Sequence, residues 1–247
     1  MLKRLAWFVF KSPQRRMVGW KTLFTDLRGL AEAALNFLSP GKPQALVVCT
    51  GSFNRSRHLF DVLIPSLLRA DAGHGWIALS VADCGSTDTA ALEDEIRRCW
   101  PGTLYFSRKE ETFARASVFN RAVRQTQEPL VMLCDADMEV PADLHLHIKR
   151  YVNAHLAWFP VCRNMRAPAP SNEWEYLSAG TGICAVRRSH FEALGGLNEN
   201  YTQWGHEDWD FFFRCYRAGI MPLRNRVYGL VHHYHPSLKP EGFKPMF

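Results

Sequence analysis

The chain has 247 residues, 47% hydrophobic and 22% charged, enough apolar content for one full core, which excludes a disordered or collagen-like protein. No segment reaches the roughly 18 consecutive apolar residues of a spanning helix, and Leu5–Phe10 is too short for a signal-peptide apolar region, so the chain is expected not to cross a membrane. The net charge of +6 is concentrated at the start, where Lys3, Arg4, Lys11, Arg15, Arg16, Lys21 and Arg28 face the single acid Asp26.

In this first stretch Trp20, Leu23, Phe24, Leu27, Leu30, Ala31, Ala34, Leu35 and Leu38 recur at helical steps, and Ser39-Pro40-Gly41 ends the pattern. The stripe either docks on the rest of the protein or, with its basic flanks, lies on an anionic membrane surface through residues 1–38. Seven cysteines stand apart with no CxxC pair and mostly interrupt apolar runs, as reduced thiols of a cytoplasmic protein do.

After Pro43, short apolar runs at Ala45–Thr50, Ile77–Ala82, Thr103–Phe106 and Leu130–Cys134 alternate with helical spacing over Ser56–Arg69, Asp88–Cys99 and Thr112–Gln125. This predicts an α/β fold with a largely parallel sheet, whose ligands sit at the carboxyl ends of the strands. Further on, Arg163–Gly180 reads as an irregular loop carrying Pro168 and Pro170. Gly182–Val186 and Arg226–Val231 read as strands, and Ser189–Leu194 and Glu207–Ala218 as helices.

The strand Leu130-Val131-Met132-Leu133-Cys134 ends abruptly in Asp135-Ala136-Asp137. Two carboxylates at a strand end can hold Mg²⁺ or Mn²⁺ against a diphosphate, since these hard ions take carboxylate and phosphate oxygens. Alone, such a pair is also an ordinary solvated turn. Here it follows Asp83-Cys84-Gly85-Ser86-Thr87-Asp88 and Arg115 to Asn120, and precedes Trp204-Gly205-His206-Glu207-Asp208-Trp209-Asp210 and His232-His233-Tyr234-His235.

In that order the segments resemble the GT-A fold glycosyltransferases, family 2-like at the front, with a galactosyltransferase or chondroitin-synthase-type motif at the C-terminal end. The resemblance spans residues 45 to 236 and implies a GT-A domain over 43–247, a mainly parallel central sheet flanked by helices, preceded by a basic amphipathic helical extension over 1–42. It implies nucleotide-sugar contacts from Thr50, Arg55, Asp83, Ser86, Arg115, Asn120, Asp135, Ala136 and Trp204. A carboxylate such as Asp83 can accept the imide hydrogen of uracil, and a tryptophan face suits a sugar ring. Each also has a plain reading, as helix cap, surface cation or core residue.

For the acidic motif the resemblance makes Asp208 the catalytic base and Glu207 the group that orients acceptor or site. A helix start rich in acids would give the same pattern without catalysis. The motif departs from the galactosyltransferases where His206 replaces a small residue and Trp209 an acid. The metal is expected at Asp135, Asp137 and His232, with His235 as the alternative ligand.

The expected activity is an inverting, metal-dependent transfer of a hexosyl or N-acetylhexosaminyl unit from a UDP-sugar to a hydroxyl of a glycan or glycolipid acceptor, in surface polysaccharide or lipid-linked glycan synthesis, on the cytoplasmic face of a membrane. The cofactor is Mn²⁺ or Mg²⁺. The competing readings are a nucleotidyl- or sugar-phosphate transferase and a noncatalytic glycan- or nucleotide-binding module. Nucleic acid is not expected as partner, because the basic residues do not interleave with an aromatic platform.

Overall fold

The computed structural model describes residues 23–38, 44–167, 173–202 and 205–235. The apolar runs form β1 (Leu46–Ser52), β2 (Ile77–Asp83), β3 (Leu104–Arg108) and β4 (Leu130–Leu133). They pair in parallel with β1 between β2 and β4. β1 and β2 are buried over their whole length, as strands covered on both faces must be. Side-chain alternation divides them: Leu46, Val48 and Met132 enter one apolar cluster, and Val47, Cys49 and Val131 the other.

The helices are α1 (Leu23–Leu38), α2 (Ser56–His58), α3 (Ile64–Asp71), α4 (Leu92–Cys99), α5 (Arg115–Arg124), α6 (Leu144–Tyr151), α7 (Arg188–Ala193) and α8 (Glu207–Arg217). Between α2 and α3 lies a π turn over Leu59–Leu63, so the helix expected over Ser56–Arg69 is present but widened in the middle. Pro65, at the start of α3, has no N–H to donate and crowds the preceding turn, which accounts for the widening. Residues of α3, α4 and α6 build the first cluster, and residues of α5, α7 and α8 the second.

The remaining strands are β5 (Met138–Glu139), β6 (Leu156–Trp158), β7 (Val161–Met165), β8 (Trp174–Tyr176), β9 (Cys184–Arg187), β10 (Met221–Leu223) and β11 (Arg226–His232). The main sheet runs β10-β6-β9-β4-β1-β2-β3, with β9 antiparallel to both β4 and β6. A smaller sheet runs β5-β11-β7-β8. Its β7 and β8 correct the reading of Arg163–Gly180 as irregular: the segment contributes two antiparallel strands. Short strands paired through backbone need no apolar period, so the sequence carried no signal for them. Pro168 and Pro170 lie outside the described residues.

α1 packs on α6 and β10. A Cβ on Gly29 would meet Leu156 Cδ2 at 2.6 Å, and Glu32 pairs with His155 Nε2 at 3.0 Å. The opposite face leaves Leu27 and Leu35 at 54% and 67% exposure. Residues 1–22 and 39–43, including the expected domain boundary, lie outside the described residues. Among the described residues no helix is long and apolar enough to cross a membrane. All seven cysteines are unpaired, six of them buried, and burial pushes the thiols of Cys162 and Cys184 up to about 11 and about 12. They are inert core groups, not nucleophiles.

Candidate active site

The carboxyl ends of β1, β2 and β4 form one rim, closed from the other side by the start of α8 and the end of β11. The β1 and β2 ends are knitted together. Asp83 is fully buried, and its Oδ2 accepts the Gly85 and Ser86 N–H groups at 3.1 Å each. Its Oδ1 accepts the Ser86 hydroxyl at 2.5 Å, and Arg108 Nε stands 3.5 Å from Oδ2. Ser86 Oγ in turn accepts the Asn54 N–H at 2.9 Å, while Asp88 accepts both the N–H and the hydroxyl of Ser56. Gly85 holds φ of +81°, a conformation suited to glycine.

These bonds hold Asp83 and Ser86, both buried, in the turn that shapes the wall. Thr50 is likewise fully buried in β1, and Arg55 stands partly exposed at the start of α2.

Arg115, at the first position of α5, joins the two halves of the site. Its Nε reaches Asp135 Oδ1 at 3.1 Å, Nη1 reaches Glu207 Oε1 at 3.2 Å, and Nη2 donates to the Gly182 carbonyl at 2.6 Å. Its guanidinium lies 4.4 Å above the Phe119 ring. Burial alone would lower its basicity, but Asp135, Glu207 and Asp208 outweigh that and hold it above the ordinary arginine value. Ala136 between the acids is buried in the first core cluster.

Asn120 engages the turn that follows α7. Its amide accepts from Leu197 N at 2.8 Å and donates to Leu197 O at 2.8 Å and to Glu199 Oε1 at 2.8 Å. A side chain so engaged and buried fixes the Gly195-Gly196-Leu197 turn.

Asp137 meets both C-terminal histidines. His235 Nε2 lies 3.1 Å from its Oδ2 and His232 Nε2 3.6 Å from its Oδ1. One ligand atom from each of the three residues falls within 4.8 Å of the others, the one such group of potential metal ligands among the described residues. His232 Nδ1 shares a hydrogen bond of 2.7 Å with Asn164 Oδ1, which aims Nε2 at the site. Burial pushes the Asp137 carboxyl up, but His235, His232 and His58 together hold it below its usual range. Its Oδ1 is buried without a hydrogen-bond partner, so the donor set has an open valence that a cation fits. Both histidines face Asp137, whereas Asp135 turns to Arg115.

α8 begins after Gly205 (φ +94°) and His206 (φ +79°). The small residue of the related motif is explained: His206 occupies a left-handed position that costs a side chain about 1–2 kcal/mol. Asp208 Oδ2 accepts the hydroxyl of buried Thr181 at 2.7 Å. Glu207 is 3% exposed, with Oε2 unsatisfied. Its carboxyl is raised by burial, against the pull of Arg115 and with the push of Asp208. Trp209 is buried against Phe212 and Phe213, so an acid of the related motif has become a core residue. Trp204 lies outside the described residues.

The structure adds residues that the sequence did not single out. Thr181 and Asn164 orient Asp208 and His232. The His58 ring stands 6.1 Å from that of His235. Arg224 is buried, donates to Ser178 O at 2.7 Å and has Nη1 unsatisfied; burial lowers it to about 10, with Asp208 opposing. No spacing rule reaches these residues, since each is brought in by a different element.

A family model described as the N-terminal domain of galactosyltransferase matches residues 163–236, which carry the acid pair and both histidines. Chondroitin sulfate synthase 3 of Mus musculus is 23% identical over 138 residues, covering 47% of this chain and 16% of that protein. The chain therefore spans less than a fifth of that relative's length. The mannosyltransferase PcManGT from Pyrobaculum calidifontis, solved with GDP-Man and Mn²⁺, superposes with a TM-score of 0.60 at 16% identity, over 85% of this chain and 67% of its own. GalNAc-T7, solved with UDP, GalNAc and Mn²⁺, gives 0.60 at 17% identity, over 83% of this chain and 46% of its own. The fold is that of the GT-A glycosyltransferases. Its C-terminal part, from β7 through the histidines, is similar to the galactosyltransferases.

Proposed function

We propose that this chain is an inverting, metal-dependent glycosyltransferase that moves a hexosyl or N-acetylhexosaminyl unit from a UDP-sugar to a hydroxyl of a glycan acceptor. The observation that carries the reading is convergence: Arg115 ties Asp135 to Glu207, which lies 92 residues after Arg115, while Asp137 meets His232 and His235. Asp208 is the base, oriented by Thr181 to take the proton of an attacking hydroxyl. Glu207, buried and paired with Arg115, holds the start of α8 in register with the donor side. Asp137, His232 and His235 would hold Mn²⁺ or Mg²⁺, which would supply charge neutralisation at the departing diphosphate.

The test is UDP release from UDP-sugars in Mn²⁺, with and without EDTA, for wild type and Asp208→Asn. EDTA should abolish turnover, and the variant should lose roughly 10²–10⁴-fold. Undiminished turnover by Asp208→Asn removes the assigned base, and pyrophosphate as product would favour nucleotidyl transfer.

The protein acts at the cytoplasmic face of a membrane, on surface polysaccharide or lipid-linked glycan. In support, α1 docks by its Gly29 and Ala33 side and keeps Leu27 and Leu35 exposed, next in sequence to the basic residues of 1–22. Wild type should pellet with anionic vesicles and a chain beginning at Lys42 should not; equal behaviour of the two removes the idea.

A further inference from the structure

The small sheet has two faces. The pairs Arg163↔Tyr176 and Met165↔Trp174 place these four side chains on one side, and Asn164 and Glu175 fall on the other. The Asn164 side serves the site described above, through its bond to His232. The opposite side has no part in that chemistry.

Trp174 is 43% exposed there and Tyr228, from β11, 68%. The Trp174 ring stands 5.3 Å from Tyr176 and 6.5 Å from Tyr228, edge to face in both cases. Arginines are stacked among the rings: Arg163 lies 4.0 Å from the Tyr228 centroid and 5.1 Å from Trp174, and Arg226 lies 4.8 Å from Tyr176. Arg226 and Tyr228 also line a pocket of about 440 Å³ together with Arg69, Glu139, Asp143 and His147.

Large aromatic faces left in water cost free energy unless they meet a partner, and grouped exposed aromatics mark binding surfaces. The partner's chemistry follows from the residue types. Ring faces take the C–H faces of pyranoses, and guanidiniums set flat among them present fixed donors to carboxylate or sulfate. A purely apolar protein partner would not call for the cations, and a nucleic acid would call for a wider basic field.

We propose that this outer face of the small sheet is an accessory subsite for an anionic glycan chain, with sugar rings on Tyr228 and Trp174 and acidic substituents on Arg226 and Arg163. The proposal deepens the glycosyltransferase reading by giving the acceptor a charge class. β11 carries both Tyr228 and His232, so the subsite and the proposed metal ligands share one strand on opposite faces of the small sheet.

The test uses the full chain in EDTA without donor, so that binding is read apart from catalysis. A hexasaccharide alternating uronic acid and N-acetylhexosamine is compared by calorimetry with a neutral N-acetylhexosamine hexasaccharide. The acidic ligand should bind at least 5-fold tighter than the neutral one. Tyr228→Ala and Trp174→Ala should each weaken it at least 10-fold, Arg226→Gln should remove most of the preference, and Tyr228→Phe should bind as wild type. UDP binding in Mn²⁺ and the Tm should be unchanged in all four, which separates a lost subsite from a lost fold. Equal binding of the two hexasaccharides, or wild-type affinity in both alanine variants, overturns the subsite. Intact binding alongside absent sugar transfer overturns the enzymatic reading instead.

Discussion

The two sides of the site are built on opposite principles. On the β1 and β2 side, Asp83, Ser86, Asn54, Ser56 and Asp88 satisfy one another, and the wall is complete before any ligand arrives. On the α8 and β11 side, buried polar atoms are left over: Asp137 Oδ1, Glu207 Oε2 and Arg224 Nη1 have no hydrogen-bond partner. A buried unsatisfied group costs on the order of 1–3 kcal/mol, more if charged, so this half stores a demand for ligand that the other half does not. Rigid wall and unsatisfied charge are complementary needs of a site that must hold a donor and then act on it.

The contrast can be broken most sharply at Arg115, the one side chain bonded to both acidic groups. Arg115→Met should leave buried Glu207 and partly exposed Asp135 without their cation and cost roughly 3 kcal/mol, mostly through Glu207, read as a large drop in the denaturation midpoint. UDP release should vanish in the same variant. Asp137→Asn attacks only the unsatisfied half: Mn²⁺ affinity should fall at least 10-fold while stability without metal changes little, a pairing measurable by titration and melting together.

On the knitted scaffold, Asn120→Ala should cost about 1–3 kcal/mol, because it strips three hydrogen bonds from a buried turn. The turn leaves little room for repair, since a Cβ on Gly196 would meet Asn120 Oδ1 at 2.6 Å. A smaller gain is expected from His206→Gly. It relieves left-handed strain but adds unfolded-state freedom, netting roughly 0.5–1 kcal/mol of stabilisation by chemical denaturation.

The smallest effect concerns pH. His233, bonded to Glu139 at 3.0 Å, is the main cause holding the Glu139 carboxyl below its usual range, with Arg69 adding to it. A depressed acid contributes stability above its unfolded value and loses it as pH falls through the folded value. Glu139→Gln should therefore lower stability slightly at neutral pH, flatten the acid limb of the profile, and leave strongly acid pH nearly unchanged.

Much of the main sheet was legible because β1, β2 and β4 are buried apolar runs whose composition reports their burial. The small sheet was not: β7 carries Arg163 and Asn164, and β8 is three residues long and largely exposed, so nothing local separates them from a loop. Among site residues, the acid pair at the end of β4 and the pair opening α8 stood out as clustered charge. Asn120 was visible as a polar residue in a suggestive place, but its partners were not. A polar side chain's role is set by what reaches it, and Leu197 lies 77 positions from Asn120.

The sequence by itself determined the alternation of strands and helices, the acidic strand end, the acid-rich helix start and the histidines after β11, because each is a local pattern with a local physical cause. Tertiary structure alone decided that His232 and His235 both face Asp137, that Arg115 joins Asp135 to Glu207, and that Asn120 holds the turn at Leu197. Those outcomes depend on distances between segments far apart in the chain, and such distances are fixed only when the core packs.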